Sequence, residues 1–190
     1  LADQSAITRV EISGPGAAGF LARALASPLP AADGEVKSAY FLGRSGLITA
    51  LGTLTRLAGD RYYLTTSIAA EVVILDLLER RAAEEDGVTL TSLTGARGTL
   101  SLVGPKAREV LSQLTEADLS ANAFPVGAAR EVAVGYAPAL LIRSDALGAE
   151  TWEVHHPIAY QRGLFSALHE AGADAGLADI GLRAQYSLLL

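Results

Sequence analysis

The sequence predicts an α+β fold in which two antiparallel sheets each carry helices on one face. The first indication is a duplication, because residues 8–25 and residues 99–115 each combine an alternating strand, a Gly-Pro pair and an amphipathic helix. The second is the sequence that follows each copy, which indicates two hairpin strands and a further strand leading into a helix. We therefore expect the order β-α-β-β-β-α to occur twice within the 190 residues.

The first copy begins with a half-buried strand at 7–13, since polar and apolar residues alternate there. Gly14 permits a sharp exit from that strand, and Pro15 fixes φ for the first turn of a helix predicted at 15–27. The remaining elements predicted for this copy are a hairpin at 38–57 that turns at 43–46, a strand at 61–66 and a helix at 68–83 capped by Ser67.

The second copy follows a connecting strand predicted at 88–93. Gly104 and Pro105 repeat the pair that ends the first strand, and they predict the same turn into a helix. The later elements are hairpin strands at 128–134 and 137–144, a strand at 150–155, a helix at 158–171 that Pro157 opens, and a helix at 182–190.

The composition excludes several classes of function. A net charge of −6 with no basic stripe argues against a nucleic-acid partner. The chain has no Cys, which removes disulfides, thiol nucleophiles and Cys-based metal sites. No apolar run reaches about 18 residues and nothing resembles a signal peptide, so we expect a cytoplasmic protein that does not span a membrane. Because the chain has no Met, we also expect it to be a piece of a longer polypeptide.

Only 19% of the residues are charged, which has two interpretations. The first is a general bias towards alanine. The second is a surface that packs on another domain or subunit rather than facing water.

The histidines do not predict a metal site. His155 and His156 are adjacent in a predicted strand, where neighbouring side chains point to opposite faces, so they cannot hold one ion together. His169 falls in the last turn of a helix, where an imidazole that caps the helix end is the ordinary finding. Residues 14–19 read GPGAAG, but they lack the Lys-Ser/Thr of a P-loop, and a strand that ends in a Gly-Pro turn explains them without a phosphate.

Glu153 has two possible roles. The period of a strand places it on the face opposite Trp152 and Val154. An acidic residue in such a position usually faces solvent. If that face lines a groove instead, the carboxylate is suited to hold a ring that carries several N–H donors.

Three segments carry a family resemblance. Residues 104–125 read GPKAREVLSQLTEADLSANAFP, with SGPGAAGFLARAL before them at 13–25 and GLRAQYSLLL after them at 181–190. With these motifs the chain resembles the glycine-cleavage T-protein (aminomethyltransferase) family. It is most similar to the folate-binding C-terminal region of dimethylglycine and sarcosine dehydrogenases and oxidases. The resemblance implies two interlocked T-protein-like α+β domains without the C-terminal barrel, divided as 1–32 with 98–190 and 33–97.

The resemblance also implies site residues and partners. Leu51 occupies the position of the family's catalytic Asp, so we expect no catalytic residue in this chain. Glu153 matches the Glu that contacts the pteridine ring in the family. The other predicted folate contacts are Asp145, which replaces a Tyr, Glu150, which substitutes for an earlier Glu, and Tyr40 and Gln185. Leu189 replaces an Arg of the family.

Two functions remain open at this stage. The first is a tetrahydrofolate-binding, one-carbon-transfer domain of a demethylating flavoprotein, in which FAD is held by a separate oxidase domain or subunit. The second is a non-catalytic domain of the same fold that packs on such an oxidase domain or subunit. The loss of the acid at Leu51 and the low charge favour the second. The match of Glu153 favours the first.

Overall fold

The chain divides into two compact units, each with its own sheet and core. The computed structural model describes residues 1–43, 45–145 and 148–187. We call Ala6–Gly95 the first unit and Leu1–Ser5 with Ala96–Leu190 the second unit.

Ten strands and five helices make up the two units of the described chain. The strands are β1 (Ala2–Asp3), β2 (Ile7–Ser13), β3 (Val36–Leu42), β4 (Ile48–Ala58), β5 (Arg61–Ser67), β6 (Thr89–Ser92), β7 (Arg97–Val103), β8 (Ala129–Val134), β9 (Ala137–Ser144) and β10 (Thr151–Pro157). The α-helices are α1 (Ala17–Ala24), α2 (Glu71–Ala82), α3 (Ala107–Ser112), α4 (Gln161–Gly172) and α5 (Leu182–Ser187). A single 3₁₀ turn precedes α2 at Ile68–Ala70, and another precedes α4 at Ile158–Tyr160.

The first unit is an antiparallel sheet with the strand order β3-β4-β5-β2-β6. Apolar residues on one face of this sheet, among them Val10 and Leu64, pack with Phe20 of α1 and Ile74 of α2. Because these side chains are fully buried, they supply the hydrophobic contribution that holds both helices on that face.

The second unit repeats this arrangement with the strand order β1-β7-β10-β9-β8, which is again antiparallel throughout. Its core contains Leu100 and Val154 of the sheet with Val110 of α3 and Leu164 of α4. The largest buried side chain is Trp152, whose ring meets that of Phe124 edge to face with 5.0 Å between their centroids. The predicted fold class, an α+β fold with two antiparallel sheets, is confirmed.

The duplication extends to individual residue pairs. Val10 lies opposite Leu64 in the first unit, and Leu100 lies opposite Val154 in the second, so equivalent residues of these strands are 90 positions apart. The 3₁₀ turns at 68–70 and 158–160 follow the same interval. The predicted repeat of β-α-β-β-β-α therefore corresponds to β2 to α2 and β7 to α4.

The predicted domain boundaries were wrong in one respect. The sequence analysis assigned residues 1–32 to the same domain as 98–190, but only Leu1–Ser5 belongs to that unit. The reason is strand pairing: β2 pairs with β5 and β6, and α1 packs with α2 in the core of the first unit. What joins the second unit from the start of the chain is β1, which pairs with β7 at its edge.

Residues 14–19 form a packed turn. They have the spacing G-x-G-x-x-G between a strand and a helix, which also occurs in dinucleotide-binding turns. In this chain the Gly16 N–H donates to the Gly87 carbonyl at 3.0 Å, and a Cβ at Gly14 would collide with the same carbonyl. The glycines therefore permit a close approach of two backbone segments, and the Gly16 N–H already has a backbone partner.

Two details of the local predictions also follow from the structure. The Ser67 hydroxyl accepts from the Ala69 N–H at 3.3 Å, which confirms the predicted cap. The helix predicted at 15–27 is shorter, because Leu25 already has extended backbone angles. No helix of the described residues is long and apolar enough to cross a membrane.

Candidate ligand-binding site

The candidate site lies on the face of the second sheet that is opposite its helices. In β10, Trp152 and Val154 point to the helices, so Glu153 and His155 point to the other side. This is the placement that the strand period predicted for Glu153. Its side chain is half-buried, with 26% of its surface exposed, whereas His155 is fully buried.

Three side chains on this face form a hydrogen-bonded chain. His155 Nε2 lies 3.1 Å from Glu153 Oε2, and His155 Nδ1 lies 3.0 Å from the Thr99 hydroxyl on the neighbouring strand β7. An ionised carboxylate can only accept hydrogen bonds, so Nε2 carries the proton that is donated to Glu153. In the neutral ring Nδ1 then accepts from the Thr99 hydroxyl.

Ser101 lies directly across from Glu153 in the β7–β10 pair. Its hydroxyl is fully buried and makes no hydrogen bond within the described residues. Buried polar groups in proteins usually have a partner, so an unpaired hydroxyl beside a carboxylate is a feature that a polar ligand could satisfy.

The other two histidines have structural partners. His156 points to the helix side, where its Nδ1 lies 2.9 Å from the Val154 carbonyl and its Nε2 lies 2.7 Å from Gln161 Oε1. His169 pairs with Asp179 at 2.8 Å near the end of α4. His155 and His156 therefore do point to opposite faces, as predicted. Within residues 1–43, 45–145 and 148–187, no group of three or more His, Asp or Glu is arranged to hold a metal.

Glu150 is oriented differently from Glu153. Its Oε1 accepts from Arg108 of α3 at 2.6 Å and lies 3.3 Å from Arg143 Nη2. Since α3 packs on the helix side of the sheet, this carboxylate lies on the opposite face from Glu153 and is already neutralised by two guanidinium groups. The structure therefore does not bring these two predicted folate contacts together.

Asp145 and Gln185 occupy separate places in the second unit. Asp145 is exposed just after the end of β9, and its carbonyl accepts from the Gly148 N–H at 2.9 Å. Gln185 lies on α5 with a buried side chain, and its Oε1 accepts from Gln4 Nε2 at 2.9 Å. The Nε2 of Gln185 makes no hydrogen bond within the described part of the chain. Leu189 lies outside the described residues.

Tyr40 and Leu51 belong to the first unit, where they face each other across the β3–β4 pair. Both are partly exposed, with 39% of Tyr40 and 55% of Leu51 accessible. The position that the resemblance assigns to a catalytic acid therefore carries an apolar side chain at the surface of the hairpin, and a leucine cannot exchange a proton.

A surface groove elsewhere in the second unit does not coincide with these residues. It has a volume of about 870 Å³ and is lined by Ser112–Ala117 and by Val132, Ala133 and Gly135. These residues belong to the end of α3 and the turn of the β8–β9 hairpin, and they include neither Glu153 nor His155. We base the site on the polar face because Glu153, His155 and Thr99 are joined there by hydrogen bonds.

The duplicated antiparallel α+β fold defines the class of domain to which this chain belongs, and the comparisons with known proteins agree with that fold. The family model for the GCVT N-terminal domain matches residues 1–190. This chain belongs to the GCVT N-terminal domain family.

Individual relatives extend the comparison. The chain is 32% identical over 188 residues to sarcosine oxidase subunit alpha of Rhizobium meliloti, covering 96% of this chain and 19% of that protein. It is 27% identical to human mitochondrial dimethylglycine dehydrogenase, covering 99% of this chain and 22% of that protein. An aminomethyltransferase of Streptomyces avermitilis is 31% identical, and the match covers 100% of this chain and 50% of that protein. The chain thus spans between a fifth and a half of these relatives.

Two solved structures share the fold. The glycine cleavage system aminomethyltransferase T of Bartonella henselae superposes with a TM-score of 0.82 at 28% identity, covering 99% of this chain and 49% of that chain. A chain of the heterotetrameric sarcosine oxidase of Corynebacterium sp. U-96 gives a TM-score of 0.74 at 26% identity. This match covers 94% of this chain and 85% of that chain. The predicted resemblance to T-protein and to sarcosine and dimethylglycine oxidases is confirmed.

The contact between Glu153 and His155 was not predicted from the sequence. The prediction for His155 considered only a metal shared with His156, and not the residue two positions earlier in the strand. Residues i and i+2 of a strand lie on the same face, so the spacing Glu-Val-His already contained the signal. The contact of Thr99 could not be predicted from strand period, because its place beside His155 depends on the register of two strands that are distant in the chain.

Proposed function

We propose that this chain is the folate-binding, one-carbon-transfer domain of a demethylating flavoprotein of the dimethylglycine or sarcosine oxidase kind. Two findings support this. The whole chain matches the GCVT N-terminal domain family, and its relatives include a sarcosine oxidase subunit, a dimethylglycine dehydrogenase and an aminomethyltransferase.

The observation that carries the proposal is the state of Glu153. Its carboxylate is half-buried and, among the residues that the structure describes, is held by His155 at Oε2 alone, so Oε1 is left for a ligand. A pteridine ring presents N–H donors side by side, and a carboxylate binds such a pair through charge-assisted hydrogen bonds. The unpaired hydroxyl of Ser101, directly across the strand pair, is a second group suited to a polar ring.

When bound, tetrahydrofolate supplies the nitrogen atoms that accept a one-carbon unit. The residues of this chain would orient the ring, because Glu153 fixes one edge of it. They would not supply an acid at position 51, since Leu51 has no proton to exchange. We therefore propose a partly degenerate site, in which the pteridine contact is retained and the catalytic acid is lost. FAD would belong to a separate oxidase domain or subunit.

Calorimetric titration of the full chain with 5-formyltetrahydrofolate, a stable reduced folate, tests this function. We expect micromolar binding that Glu153→Gln weakens at least tenfold, because the amide removes the charge and one acceptor while keeping the size. Glu170→Gln is the control, since it removes the same charge from an exposed position on α4. Absence of heat with the wild-type protein at millimolar ligand would refute the proposal.

A second candidate function is supported by the coverage of one structural match. A chain of the Corynebacterium oxidase is covered to 85% by this domain, so a separate chain of that heterotetramer has nearly the same extent. The exposed apolar side chains of the β3–β4 hairpin, Leu47, Ile48 and Leu51, are compatible with packing on a partner. In this second function the chain is a non-catalytic domain whose β3–β4 hairpin packs on an oxidase domain or subunit. Such a domain would bind no folate in the titration above.

A further inference from the structure

We propose that His155 and Thr99 are positioning residues that present the Glu153 carboxylate to the ligand in one fixed orientation. The proposal rests on the proposed function for the identity of the ligand, a reduced folate. It adds two residues that neither the family motif nor the sequence analysis assigned to the site. They act through Glu153 and are not themselves expected to touch the ring of the ligand.

The first argument is that Glu153 depends on His155 for its orientation. Among the described residues, the imidazole is the single hydrogen-bonding or ionic partner of this carboxylate, at 3.1 Å. No Lys or Arg of the described residues holds it, in contrast to Glu150, which pairs with Arg108 and Arg143. Without the ring, the side chain would be free to change rotamer, and binding would have to order it.

The second argument is that the imidazole is itself fixed at its other nitrogen. Thr99 holds Nδ1 at 3.0 Å, and both His155 and Thr99 are fully buried. If the buried ring lost one of these hydrogen bonds, no water could replace it. Other orientations of the His155 ring are therefore costly in free energy. The Thr99 hydroxyl therefore helps to hold the ring in the orientation in which Nε2 faces the carboxylate, which is a known role of the second hydrogen bond of a histidine.

The third argument is that Thr99 is held in place from the edge of the sheet. The Gln4 N–H donates to the Thr99 carbonyl at 2.9 Å, and the Thr99 N–H donates to the Ser5 hydroxyl at 3.2 Å. The short segment Leu1–Ser5 is the part of the second unit that comes from the start of the chain. The ring is therefore supported by a backbone that is paired on both sides, since β10 lies on the other edge of β7.

The tautomer of His155 in the ligand-free protein gives the first test. Long-range ¹H–¹⁵N correlation spectra should show a ring protonated at Nε2, with Nδ1 as an acceptor. Thr99→Val, which keeps the shape but removes the hydroxyl, should change the Nδ1 shift, and Thr99→Ser should restore it. An Nδ1-protonated ring in the wild-type protein, or identical spectra for wild type and Thr99→Val, would overturn the proposal.

Titration with 5-formyltetrahydrofolate gives the second test. We expect Thr99→Val to weaken binding about fivefold to tenfold and Thr99→Ser to remain within about twofold of wild type. The matched control is Thr8→Val, which removes another fully buried threonine hydroxyl, in the first unit. Its melting temperature reports the general cost of such a change, while its affinity should stay unchanged.

The two tests separate this inference from the proposed function. If the wild-type protein binds no folate, the proposed function fails and the positioning role fails with it. If the wild-type protein binds folate and Thr99→Val binds equally well, the positioning role alone is refuted. A loss in Thr99→Val that Thr99→Ser does not rescue would assign Thr99 to packing, and this also refutes the proposal.

Discussion

The two units share a backbone framework and a core, but they carry different chemistry on the sheet face that points away from the helices. On the helix side the equivalent residues are similar, for example Tyr62 and Trp152, each of which has an arginine over its ring. On the other face, Tyr63 stands where the second unit has Glu153, and Thr65 stands where it has His155.

The polar contacts on the face that points away from the helices also differ between the two units. In the first unit Thr65 bonds to Thr53 at 2.6 Å, and Glu11 pairs with Arg61 at 3.1 Å. In the second unit the corresponding face holds the carboxylate, the imidazole and the unpaired Ser101 hydroxyl. Folding constrains the helix side because close packing tolerates few changes there. On the other face the two units carry different side chains, although Tyr63, Ser101 and His155 there are also buried.

The largest expected effect is on stability, because the two cores contain aromatic rings of different size at equivalent positions. We expect the larger ring to contribute more to the free energy of unfolding. Trp152→Ala should cost about 3–5 kcal/mol of unfolding free energy, because it removes a fully buried ring that packs on Phe124 and under Arg143. Tyr62→Ala should cost less, since the smaller ring buries less area. Urea unfolding of both variants measures the difference in unfolding free energy. A larger loss of unfolding free energy for Tyr62→Ala than for Trp152→Ala would contradict this prediction.

A smaller effect distinguishes the two Gly-Pro turns. Gly14 has φ +112° and Gly104 has φ +127°, so an alanine at either position is strained by about 1–3 kcal/mol. A Cβ at Gly14 would also collide with the Gly87 carbonyl, whereas a Cβ at Gly104 meets open space. Gly14→Ala should therefore cost about 1–3 kcal/mol more than Gly104→Ala.

Thermal unfolding of the two alanine variants decides this point. Equal melting temperatures would show that the collision relaxes at no cost. An unchanged melting temperature for Gly104→Ala would refute the turn assignment itself.

The smallest effect is a pH dependence at Glu35 of the first unit, a position that carries no acid in the second unit. Glu35 has its pKa lowered from 4.5 by Lys37 and by the N–H groups of Ala31 and Ala32, and the equivalent residue of the second unit is Ala128. A lowered folded pKa means that the stabilisation is present above pH 4.5 and is lost as the pH falls through the folded value. Glu35→Gln should therefore reduce the melting temperature at neutral pH and lose this difference in acid.

Melting curves between pH 7 and pH 3 check the prediction. Glu84→Gln, an exposed residue after α2, serves as the control for the loss of one charge. A difference between wild type and Glu35→Gln that persists unchanged below the folded pKa would contradict the assigned cause. We expect only a small change, because the carboxylate is exposed and its interactions are screened by water.

The sequence by itself determined the local elements and their repetition. Alternation predicted β2 and β10, the Gly-Pro pairs predicted both turns, and strand period placed Glu153 and Trp152 on opposite faces. These properties depend on residues that are near one another in the chain, so the pattern of side chains is sufficient to establish them.

Only the tertiary structure decided how distant segments combine. It assigned residues 6–32 to the first unit and Leu1–Ser5 to the second, and it turned Glu150 towards Arg108. It also placed Thr99 against His155, 56 positions later in the chain. Each of these outcomes depends on strand register and helix packing, which are set by the burial of whole faces and not by the residues next to the site.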